Sequence, residues 1–305
     1  MPDAPLATGH APSGPAVWIE AARLKTLPAA AAPVLVGTAL AWADGAFHAV
    51  AAACALLGAL LIQIGTNYVN DAEDFARGAD GADRLGPRRA TAAGAVTVGQ
   101  MRAAAGVAFA LAVAAGGYLI LRGGWPVLAL GLVSIASGIA YTAGRYALAY
   151  TGLADLFVLV FFGPVAVGGT YFVQALALPN WVLIAGLGPG ALATAILIAN
   201  NVRDVEQDRA ATKRTLVVRF GRAFGVRLYG VCVSVAVVVP AAMVLVSRDH
   251  PGALAASAVA ALIGRRLQGW LAGAEGGPAH SDILAQTGAL LAVYAVAFAL
   301  GWTLT

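Results

Sequence analysis

Long apolar stretches alternate with short polar ones along almost the whole chain. Nine of them, at roughly 27–43, 47–68, 101–121, 125–142, 153–173, 181–199, 225–247, 252–270 and 283–303, are long enough to read as helical membrane spans. A span takes about 20 mostly apolar residues. These runs of Ala, Leu, Val and Gly lack the strict alternation of a transmembrane β-barrel, and their small residues suit close helix packing in lipid. The pattern predicts an all-α, polytopic membrane helix bundle. Two polar stretches stand out from the short connections, at about 69–99 and 200–224. Each follows an even-numbered span.

Composition agrees. The 305 residues are 60% hydrophobic and 11% charged, with a mean hydropathy of +0.80. A soluble domain carries about 25% charged residues. The domain expectation is a single intramembrane unit at 17–305. It follows a disordered tail at 1–16, which lacks the basic start of a secretory signal. Cys54 and Cys232 fall in apolar runs and read as packing residues. The four histidines lack metal-ligand spacing.

Charge sets the orientation. With the N-terminus inside, 17 of the 19 Lys and Arg residues fall on one side, leaving Arg122 and Arg248 on the other. Basic loops stay cytoplasmic, so the expected placement is multi-pass in the cell inner (plasma) membrane. The two charged stretches then open to the cytoplasm. The basic residues interleave with acids beside the membrane, which argues against a nucleic-acid partner.

The two polar stretches carry the chemistry. The first begins NYVNDAEDFARGAD at Asn67, and the second begins NNVRDVEQDR at Asn200. On a helix Asn67, Asp71 and Asp74 share a face, as do Asn200, Asp204 and Asp208. The Asn-xxx-Asp pattern recurs 133 residues later, from Asp71 to Asp204. Paired polar motifs at matching places in two halves point to one shared site. Eight of the 15 acidic residues lie here: Asp71, Glu73, Asp74, Asp80, Asp83, Asp204, Glu206 and Asp208. Carboxylates near a bilayer core are costly and repel one another. A divalent cation removes both penalties. Mg²⁺ binds hard oxygens, usually one or two carboxylates plus substrate phosphate, and Arg77, Arg84, Arg88, Arg89, Lys213, Arg214 and Arg219 supply counter-charge for phosphate oxygens. The plainer reading is a solvated, membrane-flanking face, to which Glu73, Asp83 and Glu206 are assigned. A diphosphate held at the rim of a dry, apolar bundle implies an allylic prenyl donor, whose carbocation the bundle shields from water.

Four stretches then identify a resemblance: ARLKTLPAAAAPVLVGTAL from Ala21, NYVNDAEDFARGADGADRLGPRRATAAGAVT from Asn67, GLADLFVLVFFGPVAVGGTYFVQ from Gly152 and NNVRDVEQDRAATKRTLVVRFG from Asn200. They resemble the UbiA superfamily of intramembrane prenyltransferases, and within it the branch acting on 1,4-dihydroxy-2-naphthoate. The resemblance implies Mg²⁺ held by Asp71, Asp74, Asp204 and Asp208, with Asn67 over the reacting centre and Asn70 and Asn200 supporting the metal. It implies Arg77, Lys213 and Arg219 on the diphosphate, and Arg23 and Lys25 on the acceptor carboxylate. Tyr141 and Arg145 stand where other members have Tyr-xxx-Lys. Asp155 either faces the pocket or stabilises a helix N-terminus. The implied partners are a polyprenyl diphosphate, 1,4-dihydroxy-2-naphthoate and the lipid bilayer. The implied products are demethylmenaquinol, CO₂ and diphosphate. A transferase for 4-hydroxybenzoate or another aromatic acceptor is the alternative. A secondary transporter is a remote one, because its ionisable groups would sit near mid-membrane.

Overall fold

The structure, a computed structural model, describes residues 14–78, 89–144 and 147–305. Most of the expected tail, together with Asp80, Asp83, Arg84, Arg88 and Arg145, lies outside the described residues. Helix α1 (Pro15–Ala21) already covers the last two positions of the expected tail.

All the regular structure among the described residues is helical. After α1 come α2 (Leu27–Ala43), α3 (Ala49–Ala76), α4 (Val98–Gly123) and α5 (Trp125–Thr142). The kinked pair α6 (Ala154–Val160) and α7 (Ala166–Ala175) follows, then α8 (Asn180–Arg203) and the short α9 (Val205–Ala210) and α10 (Leu216–Phe220). The chain closes with α11 (Arg222–Ser247), α12 (Leu254–Val259), α13 (Arg265–Gly273) and α14 (Gly276–Leu304). Among these, eight helices are long and apolar enough to cross a membrane, counting α1–α2 and α6–α7 as one each. The segment expected as a further span, 252–270, is also helical, as α12, a π turn over Ala260–Gly264, and α13. Arg265 and Arg266 interrupt its apolar run, so it falls short of the other eight.

Local chemistry explains the ends. Thr97 and Gln100 form a reciprocal capping box at the start of α4, with Thr97 N donating to Gln100 Oε1 at 2.9 Å and Gln100 N to Thr97 Oγ1 at 3.2 Å. Pro126 occupies the first turn of α5, where its missing N–H costs nothing. Arg122 donates to the carbonyls of Val173 and Gln174 at 2.7 and 2.9 Å, closing the C-terminus of α7. The fifth span is not straight: a π turn over Phe161–Val165, with Pro164 inside it, separates α6 from α7. Gly163 there approaches α8 so closely that a Cβ would lie 2.7 Å from the carbonyl of Gly186.

The core is asymmetric. One large apolar cluster unites α2, α7, α8, α11, α12 and α14 around Leu192, Ile198, Tyr229, Leu290 and Tyr294. Helices α3, α4 and α5 bury fewer side chains, in a smaller cluster around Tyr68, Met101 and Phe109, and on α5 only Thr142 is buried. Between the two halves lies a cavity of about 960 Å³.

Candidate active site

The cavity's polar end is built by the ends of α3 and α8 and the segments that follow them. Helix α3 continues about two turns past its expected apolar end, so the acidic motif is helical. From it Gln63, Asn67, Asn70 and Asp74 line the cavity as one stripe at i, i+4, i+7 and i+11. From the other wall come Asn200, Asn201, Asp204, Asp208 and Lys213, with Arg23, Tyr141 and Arg89 completing the rim.

Each cavity-facing carboxylate has its own cation. Asp74 accepts from Arg89 Nη2 at 2.8 Å, a pair in which both side chains are under 8% exposed. Tyr150 Oη donates to the other Asp74 oxygen at 3.4 Å. Asp204 is gripped by its neighbour Arg203, Nε to Oδ1 at 2.6 Å and Nη2 to Oδ2 at 2.7 Å. The same guanidinium donates to Asn200 Oδ1 at 2.7 Å. Asp208 pairs with Lys213 Nζ at 3.1 Å. Burial pushes the Asp208 carboxyl above its ordinary range, with Lys213 opposing. Burial works against the Lys213 charge, but Asp208 and then Asp74 outweigh it and hold the ammonium above its usual range. Asp208 thus feels both Asp204 on its own wall and Asp74 on the opposite one.

Tyr150 links the two walls. It lies between cations, with the Arg77 guanidinium 4.9 Å and Lys213 Nζ 5.2 Å from its ring centroid. Burial, then Asp74, raises its phenol above the usual value. Its carbonyl accepts from Arg214 N at 3.1 Å, joining this turn to the second acidic segment.

The asparagines are fixed in place. Asn67 Nδ2 donates to Ala22 O at 2.8 Å and Thr26 Oγ1 at 3.1 Å, which ties α3 to the turn before α2. Asn70 Oδ1 accepts from Thr142 Oγ1 at 2.5 Å. In contrast, the Asn201 amide nitrogen is buried without a partner among the described residues, and it faces the cavity, free for a ligand oxygen.

Several sequence expectations change. Asp71 does not line the cavity. Its carboxylate accepts from Ala90 N at 3.1 Å, Thr91 N at 3.0 Å and Thr91 Oγ1 at 2.5 Å. The reason is the returning loop: Asp71 sits at the edge of the stripe, about 40° around the helix from Asn67 and about 100° from Asn70, where the Ala90 and Thr91 N–H groups reach it. Both its oxygens are engaged there. Lys25 and Arg219 are exposed and outside the cavity lining. Arg77 is exposed too; it donates to Gly144 O at 2.5 Å and covers Tyr150 rather than facing the cavity. Asp155 is buried in the first turn of α6 near Tyr141, and neither oxygen has a hydrogen-bond partner among the described residues. The residues that sequence reasoning passed over are Tyr150, Arg203, Thr91, Thr142 and Asn201. Asn201 and Arg203 lie inside the second motif and Thr91 inside the resembling stretch that begins at Asn67, whereas Tyr150 stands outside every stretch singled out.

A divalent cation suits this donor set. The donors are carboxylate and amide oxygens throughout, the hard ligands of Mg²⁺. Among the described residues no three His, Cys, Asp or Glu side chains stand close enough to hold an ion by themselves. That split geometry fits a metal completed by substrate phosphate.

Below the rim the cavity is apolar. Its lining reaches Cys54 on α3, about 30 Å along the axis from Asp74. It is walled by Ile62, Leu119, Ile120, Leu130, Phe161 and Phe172 among others.

The family described as the UbiA prenyltransferase family matches residues 30–281. The 1,4-dihydroxy-2-naphthoate octaprenyltransferase of Escherichia coli is 41% identical over 221 residues, covering 70% of this chain and 71% of that protein. The Mycobacterium tuberculosis protein of the same name is 39% identical over 289 residues, covering 93% and 96%. A solved UbiA homolog from Archaeoglobus fulgidus bound to GPP and Mg²⁺ superposes with a TM-score of 0.66 at 17% identity, covering 95% of this chain and all of that one, which shows the shared fold.

Proposed function

The chain belongs to the UbiA prenyltransferase family, and from that premise we propose that it transfers a polyprenyl group from polyprenyl diphosphate to 1,4-dihydroxy-2-naphthoate. The product is demethylmenaquinol, with CO₂ and diphosphate released. One observation carries the reading: a single cavity joins three cation-paired carboxylates at its rim to an apolar shaft about as long as a membrane is thick. The relatives named above supply the acceptor.

In this reading Asp74, Asp204 and Asp208 would hold Mg²⁺, with Asn70 and Asn200 in support. Mg²⁺ bound there would neutralise the diphosphate and make it a better leaving group. Lys213, Arg89 and the unpaired Asn201 amide contact diphosphate oxygens. The prenyl C1–O bond breaks with its electron pair going to diphosphate, and the apolar walls exclude water from the allylic cation. Asn67 sits beside the reacting carbon. The acceptor's carboxylate-bearing carbon bonds to C1, and the electron pair of the ring–carboxylate bond restores the aromatic ring as CO₂ departs. Arg23 is the cavity-lining cation for the acceptor carboxylate. Asp71 acts one step removed, anchoring the Arg89 loop through Thr91. The rim opens to the cytoplasmic side of the inner (plasma) membrane, where the basic residues concentrate.

Purified protein given Mg²⁺, a polyprenyl diphosphate and 1,4-dihydroxy-2-naphthoate should release CO₂ and diphosphate and yield the prenylated lipid by mass spectrometry. Prenylation of 4-hydroxybenzoate with none of the naphthoate would overturn the acceptor assignment.

A further inference from the structure

Away from the cavity, α11 and α13 enclose a second groove of about 620 Å³ on the outer face of the bundle. Its α11 side presents Arg227, Val231, Ser234 and Val238, one stripe at helical spacing. Its α13 side presents Arg265 and Gln268. Val231 and Val238 are 56% and 59% exposed, so this surface meets lipid. Arg227 and Arg265 are exposed as well, and neither has an ion pair or hydrogen bond among the described residues.

The groove is built by close packing. A Cβ at Gly230 would lie 2.2 Å from Gln268 Nε2, and that amide donates to Val226 O at 3.3 Å. Gln268 is thereby pinned to α11, and Arg265, one turn away, is held beside it. The two helices are also tied at their inner ends, where Arg222 Nη2 donates to Leu271 O at 3.1 Å and Ala274 O at 2.5 Å. Exposed Trp270, with the Arg266 guanidinium 4.4 Å over its ring, marks the headgroup level. Arg265 lies about 7 Å deeper along the axis, within the reach of a snorkelling side chain.

Two guanidiniums facing lipid without an anion are costly. A phosphodiester satisfies both, because each guanidinium can fork onto its oxygens, and no acidic side chain lines the groove to compete. We propose that this groove binds an anionic phospholipid from the leaflet at the active-site rim. Its phosphate sits between Arg227 and Arg265, and one acyl chain lies along Val231 and Val238.

Native mass spectrometry of the purified protein tests this with phosphatidylglycerol and phosphatidylcholine of matched chains. The expected result is preferential retention of phosphatidylglycerol by the unaltered protein. In the Arg227→Gln, Arg265→Gln double variant that retention should weaken about 30-fold. Arg227→Lys with Arg265→Lys should keep most of it, and Arg248→Gln on the opposite side should change nothing. Equal retention by the double Gln variant overturns the proposal. Displacement of the lipid by millimolar inorganic phosphate would reduce the site to a bare anion site and also overturn it. So would a change of oligomeric state in the double variant with lipid retention intact, which would assign the groove to a second copy of the chain.

Discussion

The two acidic segments look alike in sequence and are used differently. In the first, α3 runs unbroken to Ala76, and the motif winds around one rigid cylinder. Adjacent residues then face different neighbours: Asn70 meets Thr142 while Asp71 meets Thr91. In the second, α8 stops at Arg203 and α9 restarts at Val205, so Asp204 sits at a break. Asp204 and Asp208, one turn apart, both line the cavity. One wall therefore gives a single carboxylate and spends its other on architecture, while the opposite wall gives two. A repeated motif locates a site but does not assign equal duties to its copies.

The largest expected effect tests that division. Asp74→Asn, Asp204→Asn or Asp208→Asn should each cut turnover roughly 10³-fold or more, since each removes a charge on which several kcal/mol of metal-assisted catalysis depends. Asp71→Asn should act through stability instead. Loss of the charge on three hydrogen bonds to the 90–91 loop is worth about 2 kcal/mol, read as a lower Tm, and turnover should recover on cooling. Equal, temperature-independent losses at Asp71 and Asp204 would erase the difference between the segments.

A smaller effect probes the shaft below both segments. Gly58 lines the cavity, and a Cβ there meets nothing within 4 Å. Gly58→Phe should lower kcat/KM for a long polyprenyl donor about tenfold, in the range of apolar pocket discrimination, and spare a short one. The smallest effect concerns pH. Because burial raises the Asp208 carboxyl, it takes up a proton at higher pH than an ordinary aspartate. Protons then compete with metal as pH falls, so the Mg²⁺ needed for half-maximal turnover should rise, by at most about tenfold per pH unit.

Much of the bundle is legible in the sequence, because twenty apolar residues admit few structures in lipid. Spans such as 27–43 and 125–142 coincide with α2 and α5. The fifth span, 153–173, reads as one continuous apolar run, and its kink comes from Pro164 together with Gly163 packing against Gly186. At the site, residue types were readable and their facings were not. Asn70 and Asp71 are neighbours in sequence, and only the returning loop decides which one faces inward. Tyr150 lies in a short turn with no pattern around it, and its place between Arg77 and Lys213 comes from three separate parts of the chain. Arg203 reads as one more basic residue until the end of α8 aims it at Asp204.

The most direct test is calorimetric binding of a non-reactive prenyl diphosphate analogue to the purified protein, with and without Mg²⁺. The account predicts tight, Mg²⁺-dependent binding that Asp74→Asn and Asp204→Asn each abolish and that Asp71→Asn keeps at low temperature. Binding indifferent to Mg²⁺, or unchanged when either Asp74 or Asp204 loses its charge, would contradict it.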